Sequence, residues 1–270
     1  MPELPEVETT RLAMKHYVQS RRIEQVIVRD GRLRYPIAQD LPAVLRGECI
    51  DDVQRRGKYL VFSCRSGDLL VHLGMSGSLR VAPRGTAPSK HDHVDIELDG
   101  GHCIRYRDPR RFGLVLWTPR AADHALLRDL GPEPLEGDFN AGYLADRARG
   151  RKTSIKSFVM DSRIVVGVGN IYANEALFLA GIRPTCAAGR ITKIRHQHLV
   201  RAIKDVLRDA VTAGGTTLRD FASGTGQPGY FQQKLHVYGR AGQPCLICNA
   251  EIKLQRLGQR STYYCPLCQR

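Results

Sequence analysis

The spacing of apolar residues changes character along the chain. Val7, Met14 and Val18 fall near one face of a helix, which predicts a helix over residues 3–20. Pro2 stands where the start of a helix tolerates proline. From residue 23 to 119, short apolar runs are broken by glycines and prolines, a pattern typical of a β-sandwich or barrel. The runs are IEQVIV from residue 23, YLVF from 59, DLLVHL from 68, VDIEL from 94 and LVLW from 114.

The pattern becomes helical after a glycine- and proline-rich stretch at 131–137, which predicts a linker. The segments with helical spacing are 140–149, 153–160, 170–180 and 192–213. Gly214 and Gly215 are expected to end the last helix, and the polar, glycine-rich residues 216–232 to form a loop.

These changes predict an α+β protein of several domains. We expect a β-sandwich with a leading helix over 1–130, the linker over 131–137, a helical domain over 138–233 and a C-terminal hairpin over 234–270.

Composition is that of an ordinary globular protein, with 42% hydrophobic and 25% charged residues. No apolar run approaches the roughly 18–20 residues that a membrane span needs. The chain opens with acidic residues where a signal peptide would carry basic ones. We therefore expect a soluble, intracellular protein.

Charge points to a polyanionic partner. The formal net charge is +14, from 41 Lys and Arg against 27 Asp and Glu. A merely soluble basic protein is the alternative. Residues 234–270 sharpen the case, because six Lys/Arg against the single acid Glu251 give +5. The C-terminal segment is thus expected to contact nucleic acid.

The eight cysteines fall into two groups. Cys49, Cys64, Cys103 and Cys186 are scattered, and each is most simply a small buried apolar residue. The other four form two CxxC pairs separated by 16 residues: Cys245, Cys248, Cys265 and Cys268. Such paired spacing in an intracellular protein predicts one structural Zn²⁺ held by four thiolates in a β-hairpin. A segment this short lacks a sufficient core, so the metal replaces one.

The start of the chain, PELPEVE from residue 2, has two interpretations. One is proline at a helix start followed by acids that favour the helix dipole. The other is chemical. A small second residue normally lets Met1 be removed, which would leave Pro2 as a free secondary amine. Because an α-amino group has a reference pKa of roughly 7.7–8.0, part of it is neutral and nucleophilic near pH 7. Attack on a sugar C1′ would then give an iminium directly.

The complete set of motifs resembles the formamidopyrimidine-DNA glycosylase family. They are PELPEVE from residue 2, GKYL from 57, HLGMSG from 72, KHDHVD from 90, DPRRFG from 108, IVVGVGNIYANE from 164, GGTTLRDF from 214, GYFQ from 229 and the terminal zinc hairpin. The resemblance implies an N-terminal β-sandwich, a helix–two-turn–helix domain and a zinc finger. It also implies excision of oxidised purines from double-stranded DNA, followed by β- and δ-elimination at the abasic site.

Catalytic roles follow from the resemblance, residue by residue. Pro2 corresponds to the Schiff-base nucleophile and Glu3 to the general acid/base beside it, while Glu6 supports the first turn. Lys58 corresponds to a lysine at the damaged nucleotide that is implicated in base release or β-elimination, although taken alone it is an exposed lysine in a turn. Arg260 corresponds to an arginine that binds phosphate and takes part in δ-elimination. Its phosphate role is the firmer one, because arginine stays charged and is a poor proton donor.

Three residues correspond to a wedge that enters the base stack where the lesion leaves. Met75 and Phe112 are its apolar members, and Arg110 takes up the hydrogen bonds of the orphaned cytosine. Such a wedge offsets the few kcal/mol of unstacking a base. Taken alone, Met75 would be a core methionine and DPRRFG a surface turn.

Further DNA contacts are implied by the resemblance. Asn170 is expected at a helix N-terminus aimed at phosphate, a role compatible with a plain N-cap asparagine. The other contacts are His72, His91, Arg151 and Lys156. Loop 216–232 resembles a lid over the flipped base.

The implied setting is a monomer in the bacterial cytoplasm, at nucleoid DNA, acting on lesions preferably opposite cytosine. Two alternatives remain: the sister family endonuclease VIII, which favours oxidised pyrimidines, and a non-catalytic zinc protein that only detects lesions.

Overall fold

A computed structural model describes residues 2–214 and 235–270. The described residues form two compact units, one of residues 2–128 with 213–214 and the other of 129–212 with 235–270. None of the helices in these ranges is both long enough and apolar enough to cross a membrane. The predicted lid, 216–232, lies outside the described residues.

The first unit begins with helix α1 (Leu4–Val18), which confirms the predicted leading helix. Its buried face includes Val7, Met14 and Val18. Placing Pro2 at the first helical position was wrong: Glu3 is the N-cap and Pro5 occupies the first turn. The backbone N–H of Glu3 donates to the Glu6 carboxylate at 2.8 Å, which fixes the entry to the helix.

Within residues 2–128, eight antiparallel strands form one continuous hydrogen-bonded sheet. They are β1 (Arg21–Val28), β2 (Cys49–Arg56), β3 (Tyr59–Cys64), β4 (Asp68–His72), β5 (Ser78–Pro83), β6 (Asp92–Leu98), β7 (His102–Arg107) and β8 (Leu114–Thr118), with a short helix α2 (Leu41–Leu45) after β1. Their order is β5-β7-β6-β1-β2-β3-β4-β8. All five predicted apolar runs lie in strands, except that Leu73, the last residue of the run from 68, follows the end of β4.

Strand β1 belongs to both halves of this sheet, one with β5, β7 and β6 and the other with β2, β3, β4 and β8. Its first two residues pair with β2, and residues 23–28 pair with β6. The two halves enclose one core, in which Phe62 and Val115 from one half pack with Ile96 and Ile104 from the other. This is the predicted β-sandwich. Strands β3, β4, β6 and β7 each contain at least three consecutive buried residues, so these strands are covered on both faces.

The described part of the second unit contains four α-helices and a hairpin. They are α3 (Ala141–Ala148), α4 (Ile155–Val159), α5 (Asn170–Leu179) and α6 (Lys193–Thr212), followed by β9 (Lys253–Leu257) and β10 (Arg260–Tyr264). The Asn140 side chain caps α3 by accepting the N–H of Tyr143 at 3.0 Å. All four predicted helices and the terminal hairpin are confirmed.

The scattered cysteines only partly match the expectation of burial. Cys103 is buried, but Cys49, Cys64 and Cys186 are half-buried, so the prediction was wrong for these three. Cys64 and Cys49 lie at ends of strands, where the sandwich no longer covers both faces. The partial burial of Cys64 raises the pKa of its thiol to about 12. The thiol therefore stays protonated and unreactive near pH 7.

Candidate active site and nucleic-acid contacts

The chain start places two candidate catalytic residues directly ahead of α1. Pro2 is buried, and Glu3 is 1% exposed. The Glu6 carboxylate holds the Glu3 backbone, as described above. The carboxyl group of Glu3 is thus enclosed by the protein, at the residue that follows Pro2.

Lys58 lies in the tight turn between β2 and β3, where Gly57 has φ +58°. The turn is fastened to α1 through Arg55. Arg55 Nε donates to the Glu8 carboxylate at 2.9 Å, and Arg55 Nη1 donates to the Gly57 carbonyl at 3.0 Å. The helix that begins behind Pro2 and Glu3 therefore also positions the turn that carries Lys58.

Glu8 was missed by sequence reasoning, since it looks like an ordinary surface charge. Burial of Glu8 acts to raise its pKa, but hydrogen bonds and charge from Arg11 and Arg55 outweigh burial and lower it. Glu8 therefore stays ionised and keeps its hold on Arg55.

His72, at the end of β4, is a neutral histidine. Burial, followed by the charges of Lys58 and Arg34, lowers its pKa to about 4. Its Nδ1 accepts the backbone N–H of Gly74 at 2.9 Å, which leaves the proton on Nε2. His72 therefore carries no positive charge and keeps one N–H donor, on Nε2.

The three wedge candidates lie on two adjacent loops of the first unit. Met75 is half-buried and Arg110 is exposed, while Phe112 is 45% exposed. The guanidinium carbon of Arg110 lies 4.9 Å from the centroid of the Phe112 ring. Met75 is thus not a fully buried core residue, and a large aromatic ring is left on the surface beside a hydrogen-bond donor.

His91 lies beside the same loops. Its backbone carbonyl accepts the N–H of Asp108 at 3.1 Å. The segment leading to His91 is fixed by the buried Arg105, which donates to both oxygens of Asp95 and to the carbonyls of Thr86 and Ala87. The first unit therefore brings His72, Met75, His91, Arg110 and Phe112 into neighbouring segments.

The second unit brings together Lys156, Asn170 and the hairpin that carries Arg260. Lys156 is 1% exposed, and its Nζ donates to the Ser261 carbonyl at 2.8 Å and to Thr262 Oγ1 at 2.7 Å. Asn170 Nδ2 donates to the same carbonyl at 3.1 Å. Lys156 thus has a structural role that the sequence did not suggest.

The interpretation of Asn170 as a plain N-cap was wrong. The N-cap of α5 is Gly169, and Asn170 is the first helical residue. Arg260 is exposed at the start of β10, and Arg151 is exposed in the segment between α3 and α4. The backbone N–H of Arg151 donates to the Ala148 carbonyl at 2.9 Å, at the end of α3 rather than at the hairpin.

Two further residues of α5 hold the zinc segment and were not found from the sequence. The Glu175 carboxylate accepts the backbone N–H groups of His236, Val237 and Tyr238 at 2.7, 3.0 and 2.8 Å. Its hydrogen bond to the imidazole raises the pKa of His236. Asn174 Oδ1 accepts the N–H of Tyr263 at 2.8 Å. Acids and amides inside a helical pattern carry no sequence signal for such distant partners.

The four predicted metal ligands converge. Among the described residues, Cys245, Cys248, Cys265 and Cys268 are the one group of metal-ligating side chains, with ligand atoms all within 4.8 Å of one another. Three of their sulfur–sulfur distances lie between 3.4 and 3.9 Å. Tetrahedral zinc with Zn–S bonds of about 2.3 Å requires about 3.8 Å between sulfurs, so the four thiols fit a structural zinc.

Three family models match consecutive parts of the chain. The formamidopyrimidine-DNA glycosylase N-terminal domain matches residues 1–115, and the formamidopyrimidine-DNA glycosylase H2TH domain matches residues 130–222. The zinc finger found in FPG and IleRS matches residues 242–270.

Known proteins are similar over the full length. Formamidopyrimidine-DNA glycosylase of Pseudomonas aeruginosa is 55% identical over 270 residues, covering 100% of both chains. The MutM (Fpg) protein of Thermus thermophilus superposes with TM-score 0.89 at 38% identity, over 99% of this chain and 98% of the other. Lactococcus lactis Fpg, in complex with DNA containing an abasic site, superposes with TM-score 0.92 at 30% identity, over 99% of each chain.

Proposed function

The chain belongs to the formamidopyrimidine-DNA glycosylase family, and we propose that the amine of its Pro2 is the nucleophile of the reaction. The protein is a bifunctional DNA glycosylase and AP lyase of base-excision repair that excises oxidised purines. What supports the assignment of the nucleophile is the chain start, where Pro2 and the buried Glu3 stand directly ahead of α1.

The chemistry follows from a secondary amine. The nitrogen of Pro2 attacks C1′ of the damaged nucleotide, and the bond from C1′ to the base breaks. The base leaves with the electron pair and takes up a proton. The amine nitrogen then loses its proton, and the bond from C1′ to O4′ opens. Glu3 delivers a proton to O4′, and Pro2 is left joined to C1′ as an iminium.

The iminium withdraws electrons and thereby makes two eliminations possible. Loss of a proton from C2′ breaks the bond from C3′ to its oxygen, and the 3′ phosphate leaves. Loss of a proton from C4′ then breaks the bond from C5′ to its oxygen, and the 5′ phosphate leaves. Water releases the remaining sugar fragment from Pro2. The product is a one-nucleotide gap with phosphate at both ends.

The remaining residues position DNA in this proposal. Lys58 is assigned to the damaged nucleotide, and Arg260 is assigned to a phosphate of the DNA. His72, His91, Arg151, Lys156 and Asn170 are assigned to the DNA backbone. The bonds from Lys156 and Asn170 to Ser261 support an additional role for both, since they fix the strand that carries Arg260.

We extend the proposal to partner and setting. The enzyme acts as a monomer in the bacterial cytoplasm, at nucleoid DNA, on lesions opposite cytosine. The exposed Arg110 supports this base preference, because a guanidinium can donate to an unpaired cytosine. The domain boundaries at 1–130, 131–137, 138–233 and 234–270 are kept as a proposal.

Borohydride reduction on an 8-oxoguanine:cytosine duplex tests the proposed function. The iminium should be reduced to a stable protein–DNA adduct, and a thymine glycol duplex should give much less of it. Strand cleavage with no trappable adduct would refute amine catalysis.

Binding to DNA should depend strongly on salt. If about five phosphates are neutralised, log K should fall against log salt with a slope of roughly −4 to −5. Arg260→Ala should reduce that slope by about one, since it removes one phosphate contact. Arg120 is exposed and lies outside the assigned contacts, so Arg120→Ala should leave the slope unchanged. Fluorescence anisotropy between low and physiological salt measures this, and a flat binding constant would contradict it.

Truncating the wedge should affect base excision more than strand cleavage. Met75→Ala, Arg110→Ala and Phe112→Ala remove groups that fill the vacated stack but take no part in bond breaking. Excision of 8-oxoguanine from a duplex should therefore fall by about tenfold or more, whereas cleavage of a preformed abasic site, which needs less unstacking, should fall less. Single-turnover rates on both substrates check this, and equal losses would exclude a wedge role.

A further inference from the structure

Asp108 is a fully buried carboxylate at the end of β7, and the proposed reaction makes no use of it. Its Oδ1 accepts Ser76 Oγ at 2.9 Å and the backbone N–H of Arg110 at 3.2 Å. Its Oδ2 accepts the backbone N–H of Gly113 at 2.9 Å and the Tyr106 hydroxyl at 3.3 Å. One carboxylate thus joins the loop after β4 to the loop before β8.

These two loops are in direct backbone contact. A Cβ on Gly74, whose φ is +61°, would lie 2.5 Å from the nitrogen of Gly113 and from the carbonyl carbon of Phe112. A Cβ on Gly113 would lie 2.3 Å from the carbonyl oxygen of His72. There is no room for a side chain at either glycine, so movement of one loop displaces the other.

The backbone between Arg110 and Phe112 is held in an unfavourable conformation. Arg111 has φ +59°, which is uncommon for a residue other than glycine. Its backbone N–H donates to the Asp108 carbonyl at 3.3 Å, and its guanidinium pairs with Asp30 at 2.5 Å. The His93 imidazole donates to the same Asp108 carbonyl at 2.8 Å. Such a conformation persists where surrounding contacts enforce it.

We propose that Asp108 is a positioning residue that fastens the Met75 loop and the Arg110–Phe112 loop into one preformed wedge. The proposal rests on the wedge role proposed above. Because both loops bond to the same carboxylate, the three inserting side chains enter the base stack as a unit. The two loops are already ordered before the DNA binds, so no binding free energy is spent on ordering them in the complex.

Two substitutions separate the parts of this arrangement. Asp108→Asn keeps the size of the side chain but replaces one acceptor oxygen with an N–H donor. In one orientation of the amide, its NH₂ group would face the N–H of Gly113. In the other orientation, it would face the donors of Ser76 and Arg110. In either case the hydrogen bonds to one side of the carboxylate position are lost, and the loop that they hold is released. Ser76→Ala removes the bond from the Met75 loop to the Asp108 carboxylate, together with the bond that Ser76 Oγ accepts from the backbone N–H of Arg110 at 3.2 Å. Asp68, at the far end of β4, offers a control because its carboxylate accepts the N–H of Ala121 at 2.7 Å without touching either loop.

The experiment compares these variants of the full chain on two DNA substrates. Asp108→Asn should lower excision of 8-oxoguanine from a duplex by about tenfold relative to cleavage of a preformed abasic site. Ser76→Ala should shift the same ratio in the same direction by a smaller factor, and Asp68→Asn should not shift it. Thermal midpoints identify losses that come from stability alone.

A second readout reports insertion itself. A 2-aminopurine beside a tetrahydrofuran abasic analogue should brighten when saturating protein unstacks it, and less so with Asp108→Asn and Ser76→Ala. Met75→Ala and Phe112→Ala serve as references. If the references lose excision selectively while Asp108→Asn and Ser76→Ala lower both activities equally, the role of Asp108 is overturned and the wedge stands.

Other outcomes are equally decisive. If neither the references nor the Asp108 and Ser76 variants show selective loss, the wedge itself fails. If only Asp108→Asn and Ser76→Ala lose excision selectively, while Met75→Ala and Phe112→Ala do not, the proposal is also overturned. Asp108 could not then act through the wedge residues. If Asp108→Asn does not fold, Ser76→Ala decides alone.

Discussion

Leaving one extra residue ahead of Pro2 should abolish both base release and covalent trapping. The extension turns the secondary amine into an amide, which has no nucleophilic lone pair. Removal of a covalent nucleophile costs other enzymes about 10⁶-fold in turnover, so we expect at least about a 10⁴-fold loss here. Lesion binding depends on the other proposed contacts and should survive, so binding measured beside activity separates the two effects.

Lys58 is the serious competitor for this role, since a lysine amine can also form a Schiff base. At its reference pKa of about 10.4 it is nearly all protonated at neutral pH, unlike a terminal amine. A cationic neighbour could lower that pKa, and Arg55 and Arg56 are the two candidates. The charge of Arg55 is, however, balanced by Glu8 at 2.9 Å, which weakens the effect.

Peptide mapping decides between the two amines. The borohydride-reduced complex is digested, and the adducted peptide is sequenced. We expect the adduct on Pro2, and we expect Lys58→Ala still to trap on an abasic site. An adduct recovered on Lys58 would overturn the assignment of the nucleophile, but the glycosylase and lyase activities would stand.

Loss of zinc should be the second large effect. Cys248→Ser should reduce zinc from about one per chain to none and abolish strand cleavage. The core around the metal is small, consisting mainly of Val237, Ile252 and Phe178 with the cysteines. Zinc binding contributes on the order of 10 kcal/mol to folding of such segments, more than this core can replace. Arg260, carried by the hairpin, would then lose its position.

The control for zinc is Cys49→Ser, a half-buried cysteine of the first unit. It should keep zinc, DNA binding and cleavage. In Cys248→Ser the β-sandwich should stay folded, which amide exchange over residues 2–128 would report. Active protein containing no metal by elemental analysis would contradict the structural role of zinc.

Much of the fold could be read from local patterns. Short apolar runs broken by glycines and prolines marked five of the strands, and helical spacing marked α1 and α3 to α6 within one or two residues, because both patterns reflect burial of an element against the core. The zinc ligands could also be predicted, because two CxxC pairs need only a short hairpin to meet. The chain start and the remaining motifs sufficed for the family.

The tertiary structure alone decided which partners the polar residues found. Lys156 looked like a surface cation, yet it is buried against Ser261 and Thr262, more than a hundred residues along the chain. Asp108 looked like part of a surface turn, yet its carboxylate joins two loops.

The reason is physical. Hydrophobic periodicity is a local property, because burial depends on a residue's place on its own helix or strand. A buried hydrogen bond instead requires two groups to meet within about 3 Å in the correct orientation, and only the folded chain fixes that geometry. The sequence therefore determined the leading helix, five strands of the sandwich, the helices of the second unit, the metal site and the family of this protein. The packing of the elements decided which polar side chains stay exposed and which are buried and hold others in position.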